Sequence, residues 1–218
     1  MVLTMHQVQL KIKTMKIVRF ITYGYNTQKY RLQLFARYAY GAVLDLGYYQ
    51  LPNIYLKKNP YVKKVCGLDI INPASPPVGY DEIKACNLDL DGIPYPSEHF
   101  DTVIAGEIIE HLNNPVFLIN ECYRVLKKNG TLILSTPTPN YYLEIICKCL
   151  GVQLEKEHIN LYSRSHMTNI LERAKFRIVN ILSYDFWLPI IKVGIICFRL
   201  PEFLSWKQIY IAKKCEGG

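Results

Sequence analysis

The chain has 218 residues, half of them hydrophobic, with 12 Gly and 12 Pro, a composition that excludes intrinsic disorder and collagen-like or low-complexity repeats and fits one buried core. Its 26 Lys+Arg against 18 Asp+Glu give a formal charge of +8. The basic residues fall in scattered pairs (Lys57-Lys58, Lys63-Lys64, Lys127-Lys128, Lys213-Lys214) rather than in one block, so charge alone does not mark a nucleic-acid surface.

Residues 1–20 read as an N-terminal extension; Lys11 and Lys13 interrupt the stretch that a secretory signal would need apolar, so a cytoplasmic location is expected. Thr27 to Tyr38 has helical spacing. Ala42 to Gly47 is an apolar strand running into a turn, and Val65 to Ile70 is a second. Asp101 to Gly106 and Gly130 to Ser135 repeat the pattern, each apolar on both faces as in a parallel sheet covered by helices. Between these two, Phe117, Leu118, Cys122, Val125 and Leu126 fall at helical spacing within Val116 to Leu126; Pro115 suits the first turn and Lys127-Lys128-Asn129-Gly130 the end. The seven cysteines are odd in number, and Cys147 and Cys149 lack the C-x-x-C spacing of a zinc site, which leaves free thiols as the simplest reading. Ser165 to Ala174 reads as a helix. Phe176 to Leu182 and Gln208 to Ala212 alternate like strands that close the sheet as an antiparallel edge pair. Phe186 to Trp206, bounded inside by Pro189 and Pro201, looks like an apolar insertion of one helix; its core of about 13 residues around Lys192 is short of the roughly 20 needed to span a bilayer. The whole reads as one α/β domain over 21–218.

In an open parallel sheet, ligands bind at the carboxyl ends of the strands. Those ends carry Asp45-Leu46-Gly47, Asp69, Asn87-Leu88-Asp89-Leu90 and Gly106-Glu107. A carboxylate such as Asp69, ending the second strand, can hold both hydroxyls of a ribose, so a nucleoside ligand is implied. Asp45 taken alone could merely cap its turn; its spacing to Asp69 and Asp89 tips the balance.

The order Val-Leu-Asp-Leu-Gly, Gly-Leu-Asp-Ile, Ile-Pro-Tyr-Pro-Ser-Glu-His-Phe-Asp, Glu-Ile-Ile-Glu-His-Leu-Asn-Asn-Pro and Leu-Lys-Lys-Asn-Gly-Thr-Leu-Ile-Leu-Ser-Thr-Pro resembles the class I S-adenosylmethionine-dependent methyltransferases, in particular the ubiquinone-biosynthesis O-methyltransferases. The resemblance is close over about residues 40–140 and looser to Lys214. It implies a Rossmann-like, seven-stranded, mostly parallel sheet with helices on both faces, and S-adenosyl-L-methionine as cofactor. Carried over by residue, Asp45 and Gly47 match the turn at the methionine moiety, Asp69 the ribose acid, Asp89 and Leu90 the pair that reads the adenine, and Gly106 and Glu107 the strand end on the methyl side. The chain departs from the family's Gly-x-Gly, having Gly47-Tyr48-Tyr49-Gln50-Leu51-Pro52-Asn53 instead. The second glycine normally lets backbone approach the ligand with no Cβ in the way. Tyr48 and Tyr49 read as packing residues rather than substrate contacts.

His111, next to Glu110 at the mouth of the expected site, suits a general base that takes the proton of an acceptor hydroxyl, with Glu107 beside it. No metal is expected. The alternative is a cluster of Glu107, Glu110, His111 and His158, a pattern that resembles the metal site of small-RNA 2′-O-methyltransferases. The leading expectation is methyl transfer to a hydroxyl or similar nucleophile of a small-molecule, glycan or lipid-linked acceptor. Peripheral membrane contact through the apolar insertion is the accompanying partner reading. An RNA methyltransferase and a non-catalytic nucleoside-binding module of the same fold are the competing readings, with nucleic acid the weaker partner.

Overall fold

Apolar runs with both faces buried become the centre of a seven-stranded sheet in strand order β3-β2-β1-β4-β5-β7-β6. The computed structural model describes residues 27–71, 73–139, 141–151, 158–184 and 205–215. The N-terminal extension and nearly all of the insertion expected at 186–206 lie outside them. Helix α1 (Thr27–Tyr38) precedes β1 (Gly41–Leu46), β2 (Val62–Asp69), β3 (Glu82–Ala85) and β4 (Phe100–Gly106). Helix α2 (Pro115–Val125) leads into β5 (Leu126–Pro137), followed by α3 (Tyr142–Cys149), α4 (Arg164–Arg173), β6 (Phe176–Tyr184) and β7 (Lys207–Lys214). Strands β1 to β5 pair in parallel; β7 runs antiparallel to both β5 and β6. The expected mostly parallel sheet with an antiparallel edge is therefore observed.

Alternate residues of each central strand feed opposite cores, as period-two geometry requires. Val43, Val65, Ile104 and Ile133 pack with Leu34, Phe35 and Ala36 of α1. Leu44, Leu68, Val103 and Leu132 pack with Leu118, Ile119 and Cys122 of α2 and with Met167 and Leu171 of α4. Each fully buried aliphatic side chain contributes roughly 1.5–3 kcal/mol, so the two cores together fix the strand ends that carry the polar residues. Helix α2 begins as expected, with Pro115 in its first turn and the Asn114 side chain accepting from the Phe117 N–H at 3.2 Å.

The strand expected to end near Asn87 is observed, and one helix was not expected. Strand β3 is four residues, only partly buried, because it pairs with β2 alone at the sheet edge. Helix α3 follows β5 where no helix was expected. Among the described residues, no helix is long and apolar enough to cross a membrane.

Candidate functional site

A cleft of about 300 Å³ opens at the carboxyl ends of β1 to β4, lined by Gly47, Asp69, Ile70, Cys86, Asn87, Leu88, Asp89, Ile108 and Leu112. The strand order reverses here, because β2 and β4 flank β1 on opposite sides. Gly47 sits at φ +69°, and a Cβ there would lie 2.9 Å from Ile108 Cδ1. Glycine is thus required both by its backbone and by the close approach of the opposite wall. Asp69 is held rigidly: Oδ2 accepts the Tyr49 N–H at 3.1 Å and Oδ1 the Ile71 N–H at 3.2 Å. Its carboxylate keeps further lone pairs directed at solvent and cleft.

The tyrosine-rich turn avoids the cleft by a compensating glycine in the next strand. Tyr48 is buried, with its ring 5.0 Å from that of Tyr80. A Cβ on Gly67 would come within 2.6 Å of that ring, so Gly67 provides the room that Tyr48 occupies. Tyr48 is the packing residue expected; Tyr49 remains substantially exposed and contributes its backbone N–H to Asp69.

Asp45 is not among the cleft-lining residues; it lies beneath the turn, 6% exposed. Its Oδ2 accepts the Tyr80 hydroxyl at 2.5 Å. That hydroxyl in turn accepts the Asn53 N–H at 2.9 Å, and Asn53 Nδ2 donates to Leu32 O at 3.1 Å. Burial pushes the Asp45 carboxyl up to about 7, against the opposing pull of the Tyr80 hydrogen bond and the Arg31 charge. Asp45 therefore anchors the turn to β3's approach and to α1.

Two further expectations, for Leu90 and Gly106, are corrected by geometry. Leu90, expected to read the adenine with its N–H, has that N–H bonded to Asn87 O at 3.1 Å and its side chain 79% exposed, outside the cleft. Asp89 lines the cleft, its carboxylate held by the turn before α2 and, like that of Asp69, keeping a lone pair on Oδ2. Oδ1 accepts the N–H groups of Asn113 at 2.7 Å and Asn114 at 3.0 Å, and Oδ2 accepts Asn113 Nδ2 at 2.8 Å. Asn87 and Leu88, which the sequence reading passed over within the same four-residue string, stand at the cleft instead. Gly106 faces away from the cleft: a Cβ there would meet Phe35 at 2.6 Å, so it is a packing glycine for α1.

Glu107 belongs to a different cluster from the one expected. It occupies the left-handed region at φ +59°. Its Oε1 accepts the Tyr184 hydroxyl at 2.9 Å and Ser135 Oγ at 3.2 Å. Its Oε2 pairs with Lys207 Nζ and lies 3.4 Å from Arg31 Nη1. Both oxygens are thus taken up by α1, β5, β6 and β7, and Glu107 is separated from the histidines it was grouped with.

Those histidines do converge. A 3₁₀ turn, Ile109–His111, carries Glu110 and His111 between the cleft-lining Ile108 and Leu112. The Glu110 backbone carbonyl accepts from Ile159 N at 2.9 Å and Asn160 N at 3.0 Å, and Asn160 Nδ2 donates to Leu112 O at 2.6 Å. These bonds stitch the 158–160 segment onto the turn. The rings of His111 and His158 lie edge to face at 5.0 Å. One potential ligand atom each from Glu110, His111 and His158 falls within 4.8 Å of the others. Glu110 is fully buried, and burial pushes its carboxyl up to about 7, with the Lys207 and Arg31 charges pulling the other way.

The chain's similarities agree with this geometry. A family model described as a methyltransferase domain matches residues 24–181. A mitochondrial ubiquinone biosynthesis O-methyltransferase from Rattus norvegicus is 38% identical over 55 residues, 25% of this chain and 16% of the relative. A probable S-adenosylmethionine-dependent methyltransferase from Mycolicibacterium smegmatis is 26% identical over 122 residues, 55% of this chain and 46% of the relative. The chain thus spans less than half the length of these curated relatives. Among solved structures, a SAM-dependent methyltransferase from Archaeoglobus fulgidus has a TM-score of 0.66 at 19% identity, covering 90% of this chain and 97% of that one. One from Thermotoga maritima has a TM-score of 0.64 at 15% identity, covering 95% of each chain.

Proposed function

The chain belongs to the methyltransferase domain family, and on that premise we propose that it transfers the methyl group of S-adenosylmethionine to an oxygen nucleophile of a small-molecule or lipid-linked acceptor. The observation that carries the reading is the cleft itself, with Gly47 pressed against Ile108 and the Asp69 carboxylate fixed at the end of β2. The residues present fit the donor. Asp69 offers a carboxylate for the ribose diol. Ile70, Cys86, Leu88, Ile108 and Leu112 give a purine apolar walls, with the Asn87 side chain at its edge. A Cβ-free turn at Gly47 leaves backbone near the amino-acid tail. When bound, the donor supplies an electrophilic methyl group on a sulfonium, which departs as a neutral thioether.

The protein's share of an in-line displacement is positioning, exclusion of water and management of the acceptor's proton. The cleft walls do the first two. The third falls to the Glu110, His111 and His158 cluster, whose 3₁₀ turn runs between the cleft-lining Ile108 and Leu112. An imidazole there can receive or assist the loss of a hydroxyl proton, which is why an oxygen acceptor is favoured over a carbon one. The test is to incubate the protein with methyl-labelled donor and a panel of phenols, catechols, sugars and amines, and to follow the label. Label on oxygen supports the reading; label confined to nitrogen or carbon products refutes the acceptor class.

A further inference from the structure

We propose that the end of the sheet opposite the donor cleft carries a strip that binds single-stranded nucleic acid. Its cations are scattered in the sequence and gathered by the fold. Arg37 stands in the last turn of α1, Lys58 in the 3₁₀ turn Leu56–Lys58 before β2, and Lys128 at the start of β5. Arg177 lies near the start of β6 and Lys213 near the end of the antiparallel β7, which brings both to the same end. Contacts make the strip continuous. A cavity of about 340 Å³ lies between α1 and the segment before β2, lined by Arg37, Tyr55, Lys58, Asn59 and Tyr61 among others. The Tyr61 carbonyl accepts the Gly41 N–H at 2.8 Å, and the neighbouring Tyr40 hydroxyl lies 3.2 Å from both Lys213 Nζ and Asn129 O. Arg177 stands directly opposite Lys213 in the β6–β7 ladder. From β2 to β6 the strip crosses β1, β4, β5 and β7, roughly 24 Å at the usual strand spacing. That length suits the lower end of the roughly 4–16 nucleotides engaged by a single-strand groove.

Charge and ring geometry select the ligand. Asp81, Asp101 and Glu98 are taken by Lys57, Lys127 and Lys214. Arg37, Lys58, Lys128 and Arg177 are exposed and form no ion pair among the described residues. Like charges directly opposite across a ladder are destabilising, so the Arg177 and Lys213 pair gains from a bound anion. The negative end of α1 would repel one, but Asn59 Nδ2 donates to Ala36 O at 2.7 Å and Ala39 O at 2.8 Å and masks it. Tyr61 is 75% exposed at the cavity, and Tyr55 adds a second ring 5.0 Å from Lys58 Nζ. Rings that stack unpaired bases beside cations that track phosphates are the chemistry of single-strand recognition. Exposed aliphatic side chains that could enter lipid, Ile145, Ile146 and Leu150, belong to α3 and the residue beyond it, after the far end of β5. The strip is separated from the cleft by the length of β1, roughly 20 Å. The strand is therefore a bound partner and not the methyl acceptor.

The test is fluorescence anisotropy of a labelled oligouridine of about twelve residues titrated with the full chain over a series of salt concentrations. Saturable binding is expected, weakening with salt at a log–log slope of about 2–3, from three or four phosphates at roughly 0.7 each. Arg37→Gln with Lys58→Gln should lower that slope by about 1.4. Tyr61→Ala should weaken binding roughly tenfold with the slope kept, and Lys84→Gln, on β3, should change neither. All four positions are at the surface, and circular dichroism checks that each variant is folded. No saturable binding by the wild-type protein, equal binding by the folded double variant, or a duplex of the same length bound as tightly as the single strand overturns the proposal. Sedimentation with phosphatidylserine vesicles in the absence of oligonucleotide binding does so as well, and assigns the strip to a membrane.

Discussion

Replacing Tyr80 with Phe tests how a turn without its second glycine is held open. The substitution keeps the ring against Tyr48 but removes the hydroxyl that joins Asp45 to Asn53. The bond to Asp45 Oδ2, at 2.5 Å and to a carboxylate, is worth roughly 1.5–3 kcal/mol, and stranding the buried Asn53 N–H costs roughly a further 1–3 kcal/mol. About 3 kcal/mol of destabilisation is expected near pH 8, allowing for relaxation, which for a chain of this length lowers Tm by roughly 6–12 °C. The loss also depends on pH, with a sign that can be worked out. Asp45 titrates near 7 in the fold against 3.8 as its ordinary value. Between these values the native state holds a proton that the unfolded chain has released, so stability falls as pH rises through about 4 to 7 and then levels. The Tyr80 hydroxyl favours the ionised form; without it the carboxyl is pushed higher still, and the decline extends to higher pH. Tyr80→Phe should therefore cost more at pH 8 than at pH 5, measured by urea and thermal unfolding monitored by circular dichroism. A Tm within 1 °C of wild type at pH 8, or an equal loss at both pH values, would refute the role given to this hydroxyl.

Gly67→Ala places a methyl group 2.6 Å from the Tyr48 ring, and should destabilise by roughly 1–3 kcal/mol while weakening donor binding through the displaced turn; calorimetry and unfolding of the same sample check both. Lys207→Met leaves Glu107 with Arg31 as its remaining cation and should cost roughly 3 kcal/mol; unfolding unchanged from wild type would show that the Glu107 cluster contributes nothing. His111→Ala should lower turnover by roughly 10²–10⁴ with donor affinity kept within about twofold, and a loss of donor affinity would mean the histidine merely supports the cleft.

What the sequence disclosed follows strand ends. Gly47 and Asp69 were legible because each terminates an apolar run whose burial fixes its direction, so the next polar residue must emerge at the cleft. Leu90 was misplaced because β3 is short and polar; it ends at Ala85, which brings residues 86 to 89 to the cleft and leaves Leu90 in the following turn. Gly106 was read as a ligand glycine when its constraint is Phe35, a contact with a helix some seventy residues earlier that no local pattern announces. The pairing of Glu107 with Lys207 and Arg31 was equally hidden, since it is assembled by β7 and α1 from opposite ends of the chain. Gly67 carried a signal of its own: a glycine inside a buried strand marks close approach, and here the approaching group is the Tyr48 ring.

The central claim is that the cleft between Gly47 and Asp69 holds a nucleoside donor, and titration calorimetry with S-adenosylhomocysteine tests it most directly. The account predicts one site per chain for the wild-type protein. Asp69→Ala should bind roughly 10–100-fold more weakly, the equivalent of about 1.5–3 kcal/mol for hydrogen bonds to a charged group. No heat and no thermal shift with either S-adenosylhomocysteine or S-adenosylmethionine, from wild-type protein shown to be folded, would contradict it.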